Sequence, residues 1–156
     1  MFDVPVDSMA VWVGLGLVSL VVFGLAASVP TAPPPDASAV ADTVDAVAAS
    51  PHASTAAQPI AADAVRLSHS RVALRSDGGT AAAVFRFGKV TPVADGTPLD
   101  RVLHGRPPSR VFSSAAAFER ALRRARQRPA RWRPAADRVL VRRVFWRGVR
   151  ATLVGA

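Results

Sequence analysis

The chain has 156 residues, no cysteine and a formal net charge of +9, and half of its residues are hydrophobic. Without cysteine there is no disulfide, no thiolate metal site and no lipid attachment through a thiol, and the length leaves room for one modest folded domain. Charge is unevenly placed: residues 1–65 carry six Asp and no Lys or Arg, whereas residues 66–156 carry all 20 basic groups against five acids. Only Lys89 is a lysine and the other 19 are arginine, a bias that a GC-rich coding sequence also produces alongside abundant Ala and Val.

Residues 1–8 form a short N-terminal tail with Asp3 and Asp7. Residues 9–29 then run for 21 positions without a charge, an amide side chain or a proline. As a helix this stretch spans about 30 Å, one bilayer core, and it is apolar all round rather than striped. The pattern predicts a single-pass transmembrane helix, with the lipid bilayer as its partner. A cleaved signal peptide asks for a basic n-region and a shorter apolar core, and only Ala26-Ala27-Ser28 speaks for one. Gly14, Gly16 and Gly24 are the candidate helix–helix contacts in the membrane, because small residues let helices approach closely.

Residues 30–63 read as a Pro/Ala-rich linker containing a candidate helix over 37–49. Asp36 is placed to cap that helix, and Val40, Val44 and Val47 fall on one face with Asp42, Thr43 and Asp45 off it. A disordered linker is the alternative, since the stripe is short.

Residues 64–156 read as a small basic domain. Short strands are expected at 65–67 and 71–75, with Val72 and Leu74 alternating against Arg71, Ala73 and Arg75. Asp77-Gly78-Gly79 signals a turn into a returning strand over 80–87, with Phe85 and Phe87 on one face. Residues 88–112 hold Pro, Gly and Asp-Gly and read as loop, with at most a short strand at 89–93. Ser113 or Ser114 caps a helix over 115–127, where Ala115, Phe118, Leu122 and Ala125 share one narrow sector. A closing hairpin is expected from 138–146 and 149–154 around Arg147-Gly148. The predicted fold class is therefore α+β: an N-terminal transmembrane helix, then a mainly antiparallel sheet with one amphipathic helix packed on it.

No residue pattern names a reaction. The histidines, His52, His69 and His104, lack partners at metal-ligand spacing, so no metal and no cofactor is expected. Asp95 and Asp100 sit in a turn-rich segment and read as turn and ion-pair residues rather than paired catalytic carboxylates. The feature with functional reach is the arginine field. Between Arg101 and Arg150 there are 15 Arg against Glu119 and Asp137, interleaved with Phe118, Trp132, Phe145 and Trp146. Arg120, Arg123, Arg124, Arg126, Arg128, Arg131 and Arg133 form the candidate anionic-partner surface, on or just after the amphipathic helix. Nucleic acid is the less expected partner, because no helix-turn-helix, zinc or RNA-stacking motif is present.

The opening Met-Phe-Asp-Val-Pro-Val-Asp, the apolar stretch, the Pro-Thr-Ala-Pro-Pro-Pro-Asp junction, Arg75-Ser76-Asp77-Gly78-Gly79-Thr80 and the closing Val149-Arg150-Ala151-Thr152-Leu153-Val154-Gly155-Ala156 together resemble a small uncharacterised haloarchaeal single-pass membrane-protein family. The resemblance implies company with type IV pilus-like or type II secretion-like components and brings no catalytic residues. The basic composition departs from the acidic one usual in haloarchaea.

The resulting expectation is a non-enzymatic, membrane-anchored accessory or structural part of a cell-surface assembly. Ser8-Met9 is no pilin-peptidase site, which favours an accessory component over a true pilin. The alternative is a cytoplasm-facing basic domain that binds anionic lipid or nucleic acid. Neither flank of residues 9–29 carries a nearby Lys or Arg, so the positive-inside rule sets no orientation; the resemblance favours an extracytoplasmic domain.

Overall fold

Asp36 caps helix α1, Ala37–Ala49, accepting from the Ala39 N–H at 2.9 Å and from the Ser38 hydroxyl at 2.6 Å. A computed structural model describes residues 32–156, which make up the second of the two units into which the chain divides, Met1–Thr31 and Ala32–Ala156. After α1 come strands β1 (Thr55–Pro59), β2 (Ala64–Leu67), β3 (Arg71–Ser76), β4 (Gly79–Val84) and β5 (Thr91–Pro92). Helix α2 (Pro98–Leu103), a 3₁₀ turn (Pro108–Arg110), helix α3 (Ala115–Gln127) and strands β6 (Arg133–Pro134), β7 (Arg138–Trp146) and β8 (Val149–Gly155) complete it.

The strands form two four-stranded sheets, one in the order β1-β7-β8-β5 and the other β4-β3-β2-β6. All pairings are antiparallel except β5 with β8, which is parallel, with Thr91 opposite Leu153. Alternation along β7 sends its side chains to two different cores. Val139 and Val141 join Val154 on the face that meets Val40 and Val44 of α1 and Val65, Leu67, Val72 and Leu74 of the second sheet. Val144, with Ala151 and Leu153 of β8, meets Leu99, Val102 and Leu103 of α2 and Phe118, Leu122 and Ala125 of α3. The first sheet is thus covered on both faces. The second is covered on one, and the register of β2, β3 and β4 turns Arg66, Arg71, Arg75, Ala82 and Val84 to the other.

Two turns show why particular residues stand where they do. At the β7–β8 hairpin, Arg147 (φ 47°) and Gly148 (φ 81°) are both left-handed, the backbone that a two-residue turn needs to match strand twist. At the β3–β4 turn, a Cβ on Gly78 would collide with the backbone of Ala32 and Pro33. The chain leading into α1 therefore lies directly against this hairpin, and only glycine leaves it room.

Several expectations are corrected. Among the described residues no helix is long and apolar enough to cross a membrane, so the transmembrane helix placed in the fold class has no structural support. Residues 9–29, with Gly14, Gly16 and Gly24, lie outside the described residues. Among the described residues the single sheet becomes two sheets with one parallel pair; the candidate helix over 37–49 forms as α1 and the amphipathic helix over 115–127 as α3, while α2 is an addition. Residues 30–63 do not behave as a linker from Ala32 onward. There α1 buries Val40 and Val44 completely, and β1 pairs with β7 along its whole length.

The returning strand of the first hairpin also ends sooner than its alternation predicts. Asp45 of α1 is buried, and its carboxylate accepts from the Arg86 N–H at 3.0 Å and the Phe87 N–H at 3.1 Å. That draws the chain off the sheet after Val84, so Phe85 is buried while Phe87 remains 59% exposed.

Candidate functional site

The amphipathic helix sets the first part of the basic surface. Ser114 caps α3 by accepting from the Ala117 N–H at 3.2 Å, and Phe118, Leu122 and Ala125 pin one side of the helix to the sheet. Arg120, Arg123 and Arg124 are thereby turned to solvent. Arg123 lies 3.6 Å from Glu119, an exposed pair that contributes little. Arg126 is different. Its Nε donates to the Thr91 hydroxyl at 2.9 Å, which ties α3 to β5, and burial pulls its pKa below the ordinary value.

Past the helix, Arg128 and Arg131 are exposed, while Arg133 is half-buried with a guanidinium nitrogen 3.5 Å from the Val93 carbonyl. Five of the seven arginines border two separate hollows. Arg123 and Arg126 line a hollow of about 300 Å³ with His69, Lys89 and Gln127. Arg128, Arg131 and Arg133 line another of about 170 Å³ against Leu67, Pro92 and Val93. Arg120 and Arg124 line neither.

The exposed face of the second sheet extends this surface with residues outside the expected set. Arg66 and Arg75 each hold the guanidinium carbon 4.9 Å from the centre of the Trp132 ring. Such stacking orients both groups at about 0.5–1 kcal/mol each where exposed. The alternation of β3 already marked Arg71 and Arg75 as one outward set. What it did not reveal is Trp132, which β6 brings beside β2 by pairing Arg133 with Val65.

Few of these cations are neutralised within the fold. Among the described residues the ion pairs are His104 with Asp100 and Arg123 with Glu119. Arg142 instead donates to the Val102 carbonyl at 2.7 Å, holding the end of α2.

A separate cleft of about 520 Å³ gathers Asp95, Asp100, His104 and Arg138 over an apolar wall of Leu103 and Leu140. It is made by α2, which Thr97-Pro98 initiates inside what read as loop. His104 Nδ1 lies 2.9 Å from Asp100 Oδ1 and 3.0 Å from the Asp100 carbonyl. Both neighbours of this ring nitrogen are Asp100 oxygens, so Asp100 orients the ring. The lining supplies this acid–base pair but no Ser, Thr or Cys as a nucleophile. Among the described residues no group of three His, Cys, Asp or Glu is placed to hold a metal.

Fold and surface together define a small α+β domain with two antiparallel-rich sheets and arginines displayed on α3 and on one sheet face. The chain belongs to DUF7283, a family of unknown function whose family model matches residues 3–144. No curated protein and no solved structure matches the chain.

Proposed function

We propose that the protein is a non-enzymatic accessory or structural component of a cell-surface assembly, pilus-like or secretion-like and of haloarchaeal type, that works at a membrane and meets an anionic partner. The observation that carries this reading is the display of arginines whose guanidinium groups, among the described residues, meet almost no carboxylate. A protein stabilised for its own sake gains nothing from so much like charge, which repels itself; a partner of opposite sign removes that repulsion. The uncharged run at 9–29 supports a place at the membrane, and the resemblance of both chain ends to the haloarchaeal family supports the assembly.

A photoreactive residue at position 120 or 124, in living cells, tests the reading. The expected result is a discrete adduct with another protein, abolished when the neighbouring arginines are changed to Glu. Failure to form any adduct at either position rejects the assembly role.

The second reading is a basic domain on the cytoplasmic side that binds anionic lipid or nucleic acid. It is favoured by the gathering of the Arg66 and Arg75 guanidinium groups at the Trp132 ring, each 4.9 Å from its centre, since clustered exposed cations suit phosphate-bearing surfaces.

A further inference from the structure

At the β2–β3 turn, on the uncovered face of the second sheet, a hollow of about 260 Å³ is lined by Arg66, Ser68, Ser70, Arg71 and Ala130. We propose that this hollow is a binding site for a phosphate-class oxyanion, carried either by a lipid headgroup or by free phosphate. The proposal deepens the reading of the arginine surface as a meeting place for an anion, and it rests on that reading.

The two cations are presented by structure rather than by chance. Arg66 is oriented by stacking on Trp132 at 4.9 Å, so little side-chain freedom remains to be lost when an anion arrives. Arg71 begins β3, and its place is fixed by Ser68. The Ser68 hydroxyl accepts from the Arg71 N–H at 3.0 Å and the Ser70 N–H at 3.3 Å, and donates to the Arg71 carbonyl at 3.2 Å. Ser68 is therefore a positioning residue. The Ser70 hydroxyl has no hydrogen-bond partner among the described residues and is available as a donor.

Among the described residues no acid forms an ion pair with the arginines of the site. The acids nearest in sequence, Asp63 before β2 and Asp77 after β3, make no ion pair with Arg66, Arg71 or Arg75 among the described residues. Arg75 shares the Trp132 ring with Arg66, which adds a third positive charge beside the hollow. Two guanidinium forks and a hydroxyl suit a tetrahedral oxyanion, which offers acceptors in several directions. The set lacks the row of exposed aromatics over which successive bases of a nucleic acid would stack, because Trp132 is already faced by two guanidinium groups.

The test is calorimetric titration of the full-length protein with inorganic phosphate, and with phosphatidylglycerol vesicles against phosphatidylcholine vesicles. Wild type is compared with Arg66→Gln/Arg71→Gln, with Ser70→Ala, and with Arg120→Gln/Arg124→Gln, which removes the same charge elsewhere. The expected result is at least about a tenfold loss of affinity in the first variant, a smaller loss in Ser70→Ala, and little change in the third. Ser70 is exposed, so its variant keeps the test valid if the double variant folds poorly. Dependence seen with phosphate alone assigns free phosphate, and dependence seen with phosphatidylglycerol assigns a headgroup; both support the site. Equal losses in the two double variants overturn the site and leave the diffuse anionic surface standing. No response to phosphate or to either vesicle overturns both. An oligonucleotide bound more tightly than either probe through Arg66 and Arg71 overturns the assigned ligand.

Discussion

Asp45 shows how one side chain can redirect a strand. A carboxylate is costly to bury unless its oxygens accept hydrogen bonds, and here they take two successive backbone donors, Arg86 and Phe87, from across the core. Asp45→Ala leaves those N–H groups without an acceptor and is expected to cost about 1–3 kcal/mol in urea unfolding, with Asp45→Asn closer to wild type. Sequence periodicity placed Asp45 off the apolar stripe, and so outside. Periodicity records which side of a helix is apolar, but not a partner 41 positions away. Arg147 offers the opposite sign of change. Its φ of 47° is a conformation that asparagine adopts more readily than arginine. Arg147→Asn is expected to stabilise the hairpin by up to about 1 kcal/mol, read as a raised melting temperature.

At the scale of elements, helices with local signals were legible and contacts between distant segments were not. The spacing of Phe118, Leu122 and Ala125 and the cap at Ser114 give α3 with its observed bounds, because helix caps and faces are written within a few residues. Likewise Arg147-Gly148 gives the closing hairpin. The parallel β5–β8 pair, by contrast, joins segments some 62 positions apart, and two residues of strand leave no period to read. Helix α2 was hidden because its cap, Thr97-Pro98, lies among turn residues that also suit a loop.

Helix α1 carries a testable pH dependence. The Ser38 hydroxyl, and then the Ala39 N–H, bond the ionised Asp36 carboxylate and hold its pKa below the ordinary 3.8. A carboxylate whose folded pKa is depressed stabilises the fold above that ordinary value, and the contribution is lost as pH falls through the lower folded value. Amide exchange at Ala39 is therefore expected to quicken as pH drops below about 3.8, after correction for intrinsic exchange, and to lose that dependence in Asp36→Ser.

For the molecule as a whole, the arginine excess was visible in composition while its arrangement was not. Arg126, Arg133 and Arg142 reach inward to a hydroxyl or backbone carbonyls, so they help hold the fold. Arg120, Arg123 and Arg124 remain outward on α3, and Arg66, Arg71 and Arg75 on the open sheet face. A count of charges cannot separate these groups, because side chains of one type serve both ends. The functional proposal depends on the outward groups meeting an anionic partner at the cell surface, and that requires the domain to lie outside the cytoplasm. A reporter enzyme fused after Ala156, active in one compartment only, measures this directly. Activity confined to the extracytoplasmic side is the predicted result, and activity in the cytoplasm would contradict the surface-assembly role.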